Sequence, residues 1–428
     1  MDIHVVTAGQ TLASIANQYG VDATRLALNN GITNPNNLVP GQTMVIRYPN
    51  VTHVVQAGET LVSIANQYGI STIILLQNNP AVVPRNYLIE GETLVISYAD
   101  ESKLGEISIN GYAYPFITDE TLLRTLPYLT YLCIFTYGFT PAGDLIPVDD
   151  ARLIQLARDY NVAPIMVLAT LGPTGVFDAA TAHAVFVDLN AQQRLIDQIF
   201  TTIESKNYAG VDIDFEFIQP EDAELFAQFV GRLRDRLAES GYIVSVALAP
   251  KTSATQTGTL YQGHNYELIG AAATYVLLMT YEWGYTYGPP MAVAPINKVR
   301  EVLDYGVTAI PREKIFMGFP NYGYDWPLPY IRGTTAASTL GNVEAVERAA
   351  RYQAPIQFDE VSQAPFFNYT AEDGVEHVVW FEDARSVDAK VRLPSEYNFR
   401  GITYWNIMKF FPQNWLVVSS LYNIIRVI

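Results

Sequence analysis

The chain has 428 residues, 49% hydrophobic and 16% charged, with a net charge of −17. That composition is globular, and the length suits two or three domains. The acidic balance argues against a nucleic-acid partner, whose phosphates need clustered Lys and Arg, and makes any recognition of an anionic polymer depend on neutral sugar contacts at close range.

The amino terminus, Met1-Asp2-Ile3-His4, carries no basic patch and no long apolar run, so no secretory signal peptide is expected. No apolar stretch reaches about 18 residues, so neither a spanning helix nor a membrane partner is expected. The segment from Ser14 to Gly20 recurs as Ser63 to Gly69, His4-Val5-Val6 as His53-Val54-Val55, and Asn29-Asn30 as Asn78-Asn79, all 49 residues on. Gly41-Gln42-Thr43 matches Gly91-Glu92-Thr93 at a spacing of 50, which marks one inserted residue in a duplicated unit. In each copy a short strand meets a Gly turn, and a Thr suited to capping opens a helix that Gly ends. A second helical stretch and a closing strand follow. The unit is βααβ. His4 and His53 read as residues of the fold and not as metal ligands.

Through Ala8-Gly9-Gln10-Thr11-Leu12, Ala57-Gly58-Glu59-Thr60-Leu61, the Asn-Asn pairs and Pro40-Gly41-Gln42, residues 1–48 and 52–98 resemble LysM modules. The resemblance implies a shallow groove for N-acetylglucosamine-containing glycans. It would involve Gly9, Thr11, Leu12, Asn37 and Leu38 in the first copy, and Gly58, Thr60, Leu61, Tyr87 and Leu88 in the second. The competing reading makes the threonines helix caps and the leucines core. If both modules bind one polymer, the gain is avidity, and deleting residues 1–98 should weaken wall binding while sparing turnover of short soluble substrates.

Beyond Tyr98, β-rich runs alternate with helical stretches, the pattern of a parallel α/β sheet. Eight strands are expected, at 107–114, 130–137, 163–169, 210–217, 243–249, 275–281, 315–320 and 402–405. Helical spacing of Leu195, Ile196, Ile199, Phe200 and Ile203 precedes the fourth strand, and Leu225, Phe226, Phe229, Val230, Leu233 and Leu237 follow it. This favours a (β/α)8 TIM barrel carrying a small α+β insertion at about 325–395 and preceded by the two βααβ modules. Cys133 is the only cysteine, which excludes an intrachain disulfide and a cysteine-built metal site, and it reads as a small hydrophobe on a buried strand. His183, His264 and His377 show no ligand spacing, so no metal or cofactor is expected.

Strict alternation in Gly210-Val211-Asp212-Ile213-Asp214-Phe215-Glu216-Phe217 puts three acids on one face and four bulky residues on the other. In a barrel the acids face the interior, where mutual repulsion holds at least one of them protonated. Such an arrangement suits chemistry that needs a neutral acid near pH 6–7, with Glu216 nearest the strand's carboxyl end.

Here residues 104–428 resemble glycoside hydrolase family 18, whose signature is Asp-Gly-x-Asp-x-Asp-x-Glu. Met279-Thr280-Tyr281 and Tyr404-Trp405 fit its other landmarks, and Ala209 departs from the signature's first Asp, a position that supports the start of the strand. The resemblance implies a retaining mechanism assisted by the substrate. Glu216 would be the acid, Asp214 the partner of the acetamido N–H, Asp212 would share a proton with Asp214, Tyr281 would hold the acetamido oxygen, and Trp405 would floor the cleaved sugar. Tyr112 and Met279 read as core or cleft wall. The tandem repeats and Tyr281-Glu282-Trp283, with Glu282 where chitinases commonly have Asp, resemble the cortex-lytic glucosaminidases of bacterial spores. That implies a spore-associated enzyme acting on peptidoglycan during germination. A chitinase and a non-catalytic glycan-binding coat protein are the alternatives.

Overall fold

Local chemistry accounts for the two small modules of the computed structural model, which describes residues 1–85, 87–99, 103–170 and 177–428. Thr11 precedes the helix Leu12–Tyr19 in extended backbone. Its hydroxyl accepts the amide of Ser14 while the Ser14 hydroxyl accepts that of Thr11, and Gly20 ends the helix at φ 66°. Thr60, Ser63 and Gly69 repeat this around Leu61–Tyr68. The strands Asp2–Val5 and Thr43–Ile46 pair antiparallel, as do Pro49–Val54 and Thr93–Tyr98. His4 bridges Tyr19 and Gln10, and His53 bridges Tyr68 and Glu59, so both histidines lock a strand to its own helix.

Eight parallel strands then close into a barrel: β1 (Gly105–Ala113), β2 (Tyr131–Phe139), β3 (Ala163–Ala169), β4 (Gly210–Asp214), β5 (Ile243–Leu248), β6 (Tyr275–Leu278), β7 (Ile315–Pro320) and β8 (Gly401–Trp405), with β8 returning to β1. The helices Leu189–Lys206 and Ala223–Ala238 flank β4, and their apolar faces are buried at Leu195, Ile199 and Ile203 and at Phe226, Phe229 and Leu233. Two strands stop short of their alternating pattern. β4 ends at Asp214 and β6 at Leu278, because Phe217 (φ 59°) and Glu282 (φ 68°) turn the chain out of the sheet. Phe217 therefore does not share the packing face of Val211, Ile213 and Phe215, and is 39% exposed.

Between β7 and β8 the chain forms a five-stranded antiparallel sheet from Gly323 to Trp380, with the helix Asn342–Arg351 beside it. Trp326 is fully buried there and donates to Gly288 O, which makes it a packing residue. Among the described residues no helix is long and apolar enough to cross a membrane.

The first module is welded to this assembly. Its Val45 belongs to the barrel's main core, and its Val39 to the core of the insertion. Ile356 N donates to Pro40 O at 2.9 Å, Gln413 Nε2 to Thr43 O at 2.6 Å and Asn37 Nδ2 to Ala350 O at 3.1 Å. The second module holds the barrel more sparingly, through Gln77 Nε2 to Pro127 O and Tyr128 Oη to Gln77 O. Residues 1–98 are thus not a detachable binder. Their removal would uncover apolar surface on the barrel and its insertion, each buried Val or Leu contributing about 1.5–3 kcal/mol, so truncation would destabilise the barrel as well as remove the modules.

Two glycines isolate the docking. Gly41 (φ 86°) and Gly91 (φ 83°) occupy matching turns, but a Cβ on Gly41 would lie 1.8 Å from Ile356 O while one on Gly91 meets nothing within 4 Å. Both substitutions by Ala carry the left-handed strain of about 1–2 kcal/mol. Gly41→Ala should lower the midpoint of thermal unfolding clearly further than Gly91→Ala. Equal shifts would mean that the first module does not rest on the insertion in solution.

Candidate active site

The period of β4 sorts its side chains between shell and interior. Phe215, just past its end, stacks on Phe226 and Phe229 with ring centroids 5.7 and 6.0 Å apart, while Asp212 reaches across the barrel. One carboxylate oxygen of Asp212 accepts the Tyr112 hydroxyl from β1 and the other accepts Ser245 Oγ from β5 at 2.6 Å. Asp214 is only 5% exposed, and its Oδ1 has no partner among the described residues. No hydrogen bond joins Asp212 to Asp214 in this structure, and Asp212 acts on Asp214 through its charge, which raises the pKa of Asp214.

Glu216 lies beyond the sheet and is partly buried, so its placement depends on what fixes the departing chain. Buried His264 does this. Its Nε2 donates to Phe215 O and its Nδ1 accepts from Ala249 N, each at 2.9 Å, tying the end of β4 to the end of β5. Only the neutral imidazole with its proton on Nε2 makes both bonds. Burial pushes the pKa of His264 down to about 4, so the bolt stays closed at neutral pH. Gly263 permits the approach, since a Cβ there would sit 2.1 Å from Ile218 O.

Burial dominates the electrostatics. It raises Asp212 to about 6, against the pull of the Ser245 and Tyr112 hydroxyls. Asp214 is raised well above the carboxylate range by burial, then by Glu216 and Asp212. Glu216 is raised to about 7 by burial and next by the charge of Glu282. Glu282 is itself raised by burial, while the hydroxyls of Tyr322 and Tyr324 that it accepts oppose the shift. With folded pKa values above the ordinary ones, the native state binds more protons than the unfolded chain. The stability contributed by protonating Asp212 and Glu216 is therefore complete below about pH 4 and is lost as pH rises through 6 to 7.

Tyr281 is buried next to these acids and its phenol is raised, by burial first and then by Asp214 and Glu216. The Trp405 ring, at the end of β8, meets Tyr112, Tyr114 and Phe135 edge-on at 5.5, 6.1 and 5.1 Å. Met279 packs between the barrel's inner and outer clusters. Ala209 keeps the start of β4 in register through its backbone, its N–H donating to Pro164 O and its carbonyl accepting from Ile243 N. Among the described residues no group of three or more His, Cys, Asp or Glu side chains could hold a metal ion.

The residues expected in the two module grooves divide. Thr11 and Thr60 are committed to helix caps, Leu12 is buried, and Leu38, Leu61 and Leu88 pack onto the module cores. Asn37 is engaged with Ala350 and Gln353 of the insertion. Gly9 and Gly58 form exposed turns, and Tyr87 is 62% exposed. Sequence reasoning missed His264, Ser245, Tyr322 and Tyr324. The two tyrosines sit where the insertion leaves β7, and that junction was the available signal for them. Ser245 and His264 offered none.

The closed eight-stranded parallel barrel sets the interior acids of β4 at the carboxyl end of its strands, where the active sites of barrel enzymes lie. The chain belongs to the glycosyl hydrolases family 18, whose pattern matches residues 177–409, and it carries two LysM domains at residues 4–47 and 53–97. It is 40% identical to the cortical fragment-lytic enzyme of Bacillus subtilis (strain 168), across 100% of this chain and 99% of that one. The crystal structure of the Bacillus megaterium QM B1551 spore cortex-lytic enzyme SleL aligns with a TM-score of 0.84 at 37% identity, covering 100% of this chain and 99% of that one. The chitinase from Chromobacterium violaceum ATCC 12472 aligns over 73% of this chain and 98% of its own, with a TM-score of 0.68 at 25% identity.

If His264 fixes Glu216, His264→Ala should reduce kcat on a soluble glycan at least 10-fold while leaving KM within about twofold, since proton transfer depends on placement to within an ångström. Unchanged kcat in a folded variant would remove His264 from the positioning of the acid.

Proposed function

We propose that the protein hydrolyses N-acetylglucosaminyl bonds of spore cortex peptidoglycan, with retention at the anomeric carbon, and that it works in the spore during germination. The observation that carries the chemistry is a buried, unpartnered Asp214 oxygen beside a Glu216 whose pKa is about 7. Full-length similarity to a cortical fragment-lytic enzyme supports the choice of polymer.

In this reading Glu216 gives its proton to the glycosidic oxygen as the bond from that oxygen to the anomeric carbon breaks. The carbonyl oxygen of the substrate's own acetamido group attacks the anomeric carbon from the opposite face, forming an oxazolinium-type ring. Asp214 accepts the acetamido N–H, and Tyr281 donates to the acetamido oxygen. Trp405 supports the sugar ring from below. Water then attacks the same carbon, its proton passes to the Glu216 carboxylate and the ring opens, so two inversions retain configuration. Asp212 raises the pKa of Asp214 through its charge, which favours a proton on Asp214, and it accepts the Tyr112 hydroxyl in the interior. The exposed turns at Gly9 and Gly58 and the Tyr87 ring offer the modules' contacts to glycan. This mechanism uses the substrate in place of the second carboxylate nucleophile of ordinary retaining enzymes.

Glu216→Gln should fold, bind glycan and lose turnover by about 10²–10⁴-fold, the usual contribution of a placed acid. Digestion of purified cortex by wild type and this variant, with products read by mass spectrometry, tests acid and substrate together. Fragments ending in reducing N-acetylglucosamine should form with wild type alone. Cleavage of chitin oligomers without release from cortex would move the reading to a chitinase.

The pH profile follows from the same proton. kcat/KM should decline above about pH 7 as Glu216 loses it. Glu282→Gln removes a negative neighbour, lowers the pKa of Glu216 and should shift that limb toward acid. A limb that stays in place would assign it to another group.

A further inference from the structure

Just past the end of β5, at the mouth of the barrel, Lys251 is 3% exposed and pairs with no carboxylate among the described residues. Its Nζ donates only to main chain, to His264 O at 3.0 Å and to Ala254 O at 3.4 Å. In a chain of net charge −17, the missing counter-charge is not for want of acids. Burying a charge without one is costly. A neutral amide satisfies two carbonyls as well, so the hydrogen bonds alone do not account for an ammonium here.

What the ammonium touches is the residue that fastens the proton donor. Lys251 N donates to Tyr266 Oη at 2.9 Å, Tyr266 Oη donates to Ala249 O at 2.6 Å, and Ala249 N donates to His264 Nδ1. With Lys251 Nζ on the His264 carbonyl, these bonds close a circuit through the end of β5 and the start of the helix Tyr266–Ala272. His264 Nε2 extends the circuit to Phe215 O, one residue before Glu216. A second proton on the ring would sit on Nδ1 and face the Ala249 N–H, donor against donor. The circuit therefore opens when His264 becomes charged.

Few charges surround the imidazole. β4 brings the Phe215 carbonyl and then Glu216, and the helix Ala223–Ala238 brings the Phe226 ring, its centroid 6.1 Å away. Tyr261 accepts the His264 N–H through its carbonyl, and Tyr266 stands on the other side in the chain. Glu216, raised to about 7, is neutral in acid. The charge then bearing on the ring is that of Lys251, which, next after burial, opposes a proton there.

We propose that Lys251 is a positioning residue for the proton donor, a buried fixed charge that holds the His264 carbonyl and repels a proton from its ring. Acting through His264, it keeps the end of β4 fastened in acid, where Glu216 carries the proton it gives. The role of Glu216 as donor rests on the function proposed above.

The test is a titration of the full chain with labelled histidines, read by NMR. In wild type, His264 should stay neutral with its proton on Nε2 down to about pH 5. Lys251→Met keeps the stem and removes the charge. It should raise the His264 midpoint by about one pH unit or more, and the acid limb of kcat on the trimer of β-1,4-linked N-acetylglucosamine should rise with it, KM staying within about twofold. Hydrogen exchange of residues 212–218 in acid should quicken in the same variant. If Lys251→Met does not fold, judged by its thermal midpoint, Lys251→Gln replaces it and keeps a donor for the carbonyl. Adding either to His264→Gln, whose amide can make both ring bonds and does not titrate, should move neither the limb nor the exchange. The proposal is overturned by a wild-type His264 that charges near the ordinary pKa of about 6.5, by an unmoved midpoint or acid limb in a folded Lys251 variant, or by a limb that shifts equally in the His264→Gln background. Absence of wild-type turnover would count against the proposed function instead, since the NMR and exchange readings do not depend on it.

Discussion

Carrying carboxylates up one strand into the mouth of a closed barrel is the constraint on which the rest of the structure depends. Isolated buried carboxylates are costly, and the fold meets that cost differently at each level of the strand. Asp212, deepest, is surrounded by two hydroxyls. Asp214 is left with an empty acceptor. Glu216 is held beyond the sheet, where the chain turns at Phe217 and His264 fastens the carbonyl before it. The gradient from satisfied to unsatisfied runs toward the cleft, and the helices Leu189–Lys206 and Ala223–Ala238 clamp the opposite face so that the strand cannot relax.

The same logic explains why the cleft wall begins where it does. Tyr322 and Tyr324, at the root of the insertion, donate to Glu282, which in turn raises Glu216. The insertion therefore does more than deepen the cleft, because its first residues set the charge environment of the acid. On its far side it packs on Val39 of the first LysM module, so one small sheet connects that module to the surroundings of Glu216.

How much of this could be read from the sequence depends on the range of the forces involved. The alternation of Asp212, Asp214 and Phe215 was legible because a strand's period is enforced residue by residue. So were the caps at Thr11 and Thr60 and the apolar stripe around Phe226 and Phe229, since each is a local pattern. The alternation failed at Phe217 because a turn with positive φ leaves no mark on a hydrophobic period. His264 was invisible for a different reason: an isolated His has no spacing to read, and its two partners lie 49 and 15 residues away in the chain. Asn37, Val39 and Val45 read as module residues and proved to be interface, because burial against another domain resembles burial in one's own. The tandem repeats encouraged a picture of beads on a string that the contacts at Gly41 and Thr43 contradict.

Gly41 pressed against Ile356 has an architectural consequence. A module on a flexible tether raises the local concentration of its polymer and leaves the angle of approach free. A module seated in the wall of the barrel gives up that freedom, and any strand it grips enters the cleft from one bearing and at one offset. The enzyme then behaves like a gauge, sensitive to the spacing and curvature of the network it stands on as well as to the sugars within it. A cross-linked wall and a loosened fragment of the same wall, identical in composition, would present themselves to it as different substrates.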